Sequence, residues 1–253
     1  MTRQVLIYAD KHELISAVSA RFIRTAVRTI ANQDVMHVVL TGGSVGIGIL
    51  EAINLSPDRD NVDWSKVHIW WGDERWVAGG HEDRNDRQAT DALLGHVHLR
   101  SENVHPFPIA NPGLELDAAA LRYADELSVA GWPDELPHFD LLLLGVGPDG
   151  HIASLFPDRA ELIDSNATVV AVRNSPKPPP ERLSLSLRAI NSAERIWLAV
   201  AGADKASALG LALAGASPYQ VPVAGAKGRR RTVFFVDKDA ATQVPGDLIS
   251  SEY

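Results

Sequence analysis

Apolar residues at Leu14, Ile15, Val18, Phe22, Ile23, Ala26 and Ile30 recur with the period of a helix, so His12 to about Ala31 is predicted to bury one face. Val5 to Ala9 before it and Val35 to Leu40 after it read as strands. Val45, Ile47, Ile49, Leu50 and Ile53 then predict a second helix, and Val67-His-Ile-Trp-Trp71 a third strand. His81 to Gln88 is polar and leads into a helix through Ala89, Ala92, Leu93 and Leu94. Leu116, Ala119, Ala120, Tyr123 and Leu127 line the apolar side of a helix from Glu115 to about Val129.

The apolar run Leu141 to Leu144 is too short for a buried helix and is stopped by Gly145 and Gly147, which predicts a strand buried on both faces. Val169 to Val172 reads as a short strand, and Leu183-Ser-Leu-Ser-Leu187 alternates like a half-exposed one. Ile196 to Ala201 is a buried strand followed by a helix through Leu209, Leu211 and Leu213; Thr232 to Val236 is expected to close the sheet. Strands alternating with helices predict the α/β class. Ser175-Pro-Lys-Pro-Pro-Pro-Glu-Arg182 is a stiff, extended loop. The same style of element continues on both sides of it, so residues 1–253 read as one domain.

Composition narrows the function. Asp plus Glu outnumber Lys plus Arg by 32 to 24, a formal charge of −8, which argues against nucleic-acid binding and against an anionic membrane surface. The basic run Lys227 to Arg231 is read as a solvated loop. The absence of cysteine excludes disulfides, thiolate catalysis and cysteine-ligated metals. No leader-like or membrane-spanning stretch is present in the sequence, which makes the cytoplasm the expected compartment.

Candidate chemistry gathers at predicted strand ends, where open α/β sheets bind ligands. Thr41-Gly42-Gly43-Ser44 joins a strand to a helix, and the unpaired N–H groups of a helix start make an anion seat; a plain turn with Ser44 as helix cap is the bland reading. Asp73 and Arg75 follow the third strand as a base or hydroxyl acceptor and an anion clamp. Gly202 and Lys205 form a second possible anion contact, and the proline-rich loop delivers Arg182. After the central strand, Gly145, Gly147 and Gly150 permit sharp turning while Asp149 and His151 supply a carboxylate and an imidazole. The letters also satisfy Gly-x-Gly-x-x-Gly, but Pro148 and His151 stand where a dinucleotide site needs a tight turn and a helix start. Ser154 lacks the elbow of a serine nucleophile and is read as a structural or helix-capping residue. His96 and His98 alternate like a metal pair, without a third ligand nearby in sequence.

Thr41-Gly-Gly-Ser44, Trp71-Gly-Asp-Glu-Arg75, Gly145-Val-Gly-Pro-Asp-Gly-His-Ile-Ala-Ser-Leu-Phe-Pro157, Pro180-Glu-Arg182 and Gly202-Ala-Asp-Lys-Ala206 together resemble the 6-phosphogluconolactonase family. The resemblance implies an open, mainly parallel twisted α/β sheet with helices on both faces, of the sugar-phosphate isomerase type. It also implies hydrolysis of 6-phospho-D-glucono-1,5-lactone in the pentose phosphate pathway. The family's catalytic histidine falls on His151, and its phosphate contacts on Gly42, Gly43, Ser44, Arg75 and Lys205, with Arg182 nearby. Asp149 would orient the loop or the imidazole, and Asp73 would hold sugar hydroxyls or assist as base. Asn85 keeps the family's asparagine, while Arg84 stands where the family has serine, adding a cation.

A lactone is an activated ester, so no cofactor and no metal is expected. The expected partner is the small sugar-phosphate lactone alone; the oligomeric state is left open, with a monomer favoured. Two alternatives remain on the sequence: a glucosamine-6-phosphate deaminase, or a sensor that binds a sugar phosphate without turning it over. The deaminase family continues its Asp-Gly-His with Ile-Ala-Phe-Asn-Glu-Pro, and this chain has Ser154, Leu155 and Phe156 instead.

Overall fold

A computed structural model describes residues 2–162 and 166–250. Its strands are β1 (Thr2–Tyr8), β2 (Met36–Leu40), β3 (Val67–Trp71), β4 (Asp73–Arg75), β5 (Phe139–Gly145), β6 (Val169–Val172), β7 (Arg182–Leu185), β8 (Arg195–Val200) and β9 (Arg231–Asp237). The α-helices are α1 (Lys11–Gln33), α2 (Gly43–Leu55), α3 (Asn85–Ala92), α4 (Leu116–Gly131), α5 (Leu187–Asn191) and α6 (Ala206–Leu213).

Local chemistry starts and stops these elements. Asp10 caps α1 by accepting from the Glu13 N–H at 2.9 Å, and Glu13 reaches back to the Ala9 N–H at 2.6 Å. Such reciprocal capping satisfies two otherwise orphaned donors. The helix ends where Asp34 turns left-handed at φ 68° and donates its N–H to the Ile30 carbonyl. Between these ends Leu14, Val18, Phe22, Ile23, Ala26 and Ile30 are buried.

Six strands form one sheet in the order β1-β9-β8-β5-β2-β3, and every adjacent pair is parallel. β5 is buried from Phe139 to Leu144, as a strand covered on both faces must be. The register Val233↔Trp197, Trp197↔Leu143, Leu141↔Val38 and Val38↔Ile69 puts Phe235 and Trp70 on opposite faces. Arg21 of α1 lies over the Phe235 ring and Tyr123 of α4 meets Trp70 edge-on, so helices cover both faces.

β9 does not close the sheet as expected from its place near the chain's end. It lies inside, between β8 and β1, because the first strand takes the edge. Asp73 to Arg75, read in the sequence only as residues following the third strand, form an element of their own. It is strand β4, paired antiparallel with β7 (Asp73↔Ser184, Arg75↔Arg182), and with β6 these form a separate sheet of three strands. β7 was expected to be half exposed from its alternating serines, yet it is buried throughout. Its polar positions are hydrogen-bonded: Ser184 Oγ donates to the Leu185 carbonyl and accepts from the Ser154 N–H, while Ser186 caps α5.

The chain moves outward from β2 to β3 on one side and from β5 to β8 and β9 on the other. Loops leaving the carboxyl ends of β2 and β5 therefore diverge and leave a crevice between them, the usual binding position in an open α/β sheet.

Candidate active site

That crevice holds a cleft of about 240 Å³. On the β2 side, Gly42 caps α2 with no side-chain hydrogen bond, which corrects the reading of Ser44 as a cap. The first N–H groups of α2 therefore keep their unsatisfied donors toward the cleft. Gly43 holds φ 79°, a conformation open to glycine. Ser44 Oγ accepts from Lys11 Nζ at 3.0 Å, so α1 contributes a cation to this seat that the sequence reading did not single out. A Cβ on Gly42 would stand 1.9 Å from Asn85 Oδ1, so glycine is required for the two segments to meet.

On the β5 side the backbone folds into a tight turn, with the Gly150 N–H donating to the Gly147 carbonyl and the Gly147 N–H to the His151 carbonyl, both at 2.9 Å. The turn sets His151 Nδ1 2.5 Å from Asp149 Oδ1. Desolvation would raise the Asp149 carboxyl, but the hydrogen bond and charge of His151 outweigh it and bring the group down to about 2. A Cβ at Gly147 would come within 1.9 Å of the same Nδ1, so the turn leaves room for the ring only without a side chain. Phe156 is buried, and its ring lies 4.6 Å from the imidazole, centroid to centroid.

The small sheet supplies the third wall. Asp73, almost fully buried, accepts from Ser154 Oγ at 2.6 Å, and Asn85 Nδ2 donates to the Asp73 carbonyl at 2.8 Å. Ser154 is thus structural, but it caps no helix: it fixes Asp73. Arg182 Nη1 is 4.0 Å from Asp73 Oδ2, while its other nitrogens donate to the carbonyls of Lys177, Pro178 and Pro179. The guanidinium therefore ties the proline-rich loop to the cleft wall. Burial lowers the Arg182 guanidinium, against the opposing pull of Asp73.

Two buried polar atoms in this wall, Asn85 Oδ1 and Arg75 Nε, have no hydrogen-bond partner among the described residues. Buried polar atoms are nearly always paired, so these two stand out in the cleft wall. Arg75 Nη1 donates to the Asp83 carbonyl, and Lys205 Nζ lies 2.7 Å from Asp204 Oδ2.

Nine of the ten residues to which the family resemblance assigns catalysis or substrate contact line this cleft: Gly42, Gly43, Ser44, Asp73, Arg75, Asn85, His151, Arg182 and Lys205. Asp149 stands behind His151 and reaches the cleft through it. Gly202, suggested as an anion contact, is otherwise engaged, since its N–H donates to the Asp237 carboxylate at 3.0 and 3.1 Å. Lys177 was missed and also lines the cleft. Burial, with Lys205 and Arg182 close by, holds its ammonium below the usual lysine range despite the opposing Asp149 charge. The available signal was its position as a lone cation inside the proline run.

Arg84, treated in the sequence as an added cation beside the substrate contacts, is wholly buried and lies outside the cleft lining. Asp86 holds its Nη2 at 2.8 Å and the Phe107 carbonyl accepts at 2.8 Å, with Glu74 at 3.7 Å. Glu74 accepts from the N–H groups of Asn85 and Asp86 and so caps α3; burial pushes its carboxyl up to about 7 against the pull of Arg84. The His96 ring donates to the Asp91 carbonyl at 3.0 Å. Among the described residues no group of three His, Cys, Asp or Glu is arranged to hold a metal ion, and no helix is long and apolar enough to cross a membrane.

The model of the family described as glucosamine-6-phosphate isomerases/6-phosphogluconolactonase matches residues 9–235. The 6-phosphogluconolactonase of Streptomyces coelicolor is 46% identical over 252 residues, covering 98% of this chain and 97% of the relative. That of Mycobacterium tuberculosis is 43% identical over 248 residues, covering 97% of this chain and 100% of the relative. Among solved structures, the 6-phosphogluconolactonase of Leishmania guyanensis superposes with a TM-score of 0.82 at 27% identity, covering 97% of this chain and 100% of that one.

Proposed function

The chain belongs to the glucosamine-6-phosphate isomerase/6-phosphogluconolactonase family, and we propose that it hydrolyses 6-phospho-D-glucono-1,5-lactone to 6-phospho-D-gluconate. One observation carries the reading: the His151–Asp149 pair, 2.5 Å apart, faces a cleft that is also walled by the uncapped start of α2.

In this mechanism Asp149 accepts from the Nδ1–H of His151, which fixes the tautomer and leaves Nε2 with its lone pair. Nε2 takes a proton from the attacking water, and water oxygen bonds to the lactone carbonyl carbon. As the tetrahedral intermediate collapses, the ring C–O bond breaks and the imidazolium returns the proton to the departing ring oxygen. The phosphate rests on the N–H groups after Gly42, with Ser44, and is neutralised by Arg75 and Lys205; Lys177 adds a cation on the facing wall. Held there, it is a remote handle that fixes the carbonyl against His151. Asp73, oriented by Ser154, and Asn85 Oδ1 accept from sugar hydroxyls.

The isomerising chemistry of the deaminases in this family loses a participant, because Phe156 packs against the imidazole and offers no carboxylate. The deciding assay measures hydrolysis of freshly generated lactone beside ammonia release from glucosamine 6-phosphate. Hydrolysis well above the spontaneous rate, without ammonia, is expected. Ammonia release would move the chain to the deaminases; silence in both, with a sugar phosphate still bound, would leave a sensor.

A further inference from the structure

At the other end of the large sheet, β8 and β9 begin with Arg195 and Arg231, which are register partners. Arg230 immediately precedes β9, and the second half of α1 brings Arg28 alongside, together with Thr25, Thr29 and Asn32. They enclose a concavity of about 480 Å³, within the roughly 300–1,000 Å³ usual for small-ligand sites. Because the strands are parallel, the length of β8, about 20 Å, separates it from the cleft.

The charge there is out of keeping with the rest of the surface. Four arginines and no carboxylate line the concavity, in a chain of formal charge −8, whereas Arg173 pairs with Asp117 and Arg188 with Glu135, both at 2.7 Å. Arg28 and Arg230 are exposed and have no carboxylate partner among the described residues. Among the described residues Arg195 donates to the Asp140 carbonyl at 3.4 Å, and its charge opposes the burial-driven rise of the Asp140 carboxyl. The Asp140 carboxylate is already engaged by Gln33 Nε2 at 2.5 Å and by the His37 N–H at 2.9 Å. Guanidinium groups crowded around one hollow repel each other, and an anion within it would remove that repulsion. Their planar forks match phosphate oxygens, and the two threonine hydroxyls and the Asn32 amide add neutral donors.

We propose that this concavity is a second anion-binding site, for a small phosphorylated ligand carrying two or more negative charges. The basic run at its rim is then a ligand contact instead of an ordinary solvated loop. A long polyanion does not fit the reading, since the acidic remainder of the surface would repel it.

Inorganic pyrophosphate is the probe, titrated calorimetrically into the full chain at low ionic strength. Two binding events are expected in the wild type. The double variant Arg28→Gln/Arg230→Gln should weaken one of them at least tenfold while lactone hydrolysis stays unchanged. Both positions are exposed, and a melting curve matching the wild type verifies the fold. Lys205→Ala should weaken the other event, that of the cleft, and leave this one intact. Wild-type titration by the double variant, or a single event that Lys205→Ala removes, overturns the proposal. The hydrolysis assay is read separately, so failure of the lactonase reading and failure of this site remain distinct.

Discussion

Two sets of histidines, one at each end of the same sheet, are used in opposite ways. At the carboxyl end His151 meets a single carboxylate through Nδ1, and Nε2 has no partner among the described residues. At the amino end His37 and His68 pair in register on β2 and β3, their rings 4.6 Å apart. His68 Nδ1 lies 3.1 Å from His105 Nε2, and His105 Nδ1 lies 2.9 Å from Glu126. Trp70 donates its indole N–H to His37 Nδ1 at 3.1 Å and stacks on His105 at 3.8 Å. Burial first, then the neighbouring His68, His105 and His138, brings His37 down to about 3, and burial with His105 lowers His68. An imidazole that receives a hydrogen bond on its lone pair and is crowded by others stays neutral and serves packing. One that faces a carboxylate and an open cleft is available for proton transfer.

The sharpest way to break the contrast is His151→Ala, expected to lower kcat by about 10²- to 10⁴-fold, checked on folded protein after subtracting spontaneous lactone hydrolysis. A loss under about tenfold removes the general-base role. Gly147→Ala leaves both members of the pair in place but puts a methyl on Nδ1; kcat should fall by about 100-fold, as a 1 Å misplacement of a catalytic group can do. Near-wild-type turnover would show that the turn yields instead.

The amino-end stack predicts a pH effect on stability. Its folded pKa lies below the ordinary value of 6.5, so its stabilisation is complete above 6.5 and is lost as pH falls toward about 3. At about pH 5 the loss from His37 alone is about 2 kcal/mol, roughly 4–8 °C in Tm. His37→Asn should flatten the Tm-against-pH curve over that range without changing kcat; an unchanged slope would assign the acid sensitivity elsewhere. Lys205→Ala should raise KM about tenfold with kcat nearly kept, since it removes binding present before and during reaction. An unchanged KM would contradict its phosphate contact. Smallest is Ser154→Ala, expected to change KM only a few-fold through Asp73, with no acyl-enzyme trapped from the wild type by rapid quenching.

Much of this was legible in the chain. The period of Leu14 to Ile30 specified α1, and the unbroken apolar run Leu141 to Leu144 specified a central strand, because burial of one face or of both leaves distinct local patterns. Gly42 to Ser44, Asp73, His151 and Lys205 were visible because they follow such strands beside glycines, and Asn85 and Arg182 because they match the family's motifs. Lys11 was not, since nothing local distinguishes a cation that will reach Ser44 from one that faces only water, and Lys177 had no signal beyond its place in the proline run. His37, His68 and His105 carried no signal either: their spacing in sequence is unrelated to their stacking.

By itself, then, the amino-acid order determined most of the strands and helices, where the glycine turns fall, and that an aspartate and a histidine share one of them. These depend on interactions within a few residues, where backbone freedom and side-chain periodicity act directly. Tertiary structure decided that β9 lies inside the sheet, that Asp73 to Arg75 pairs with β7, that Arg84 is buried away from the cleft, and that Ser154 holds Asp73. Those are contacts between residues far apart in the chain, and a local pattern records that a face will be buried without recording what will cover it.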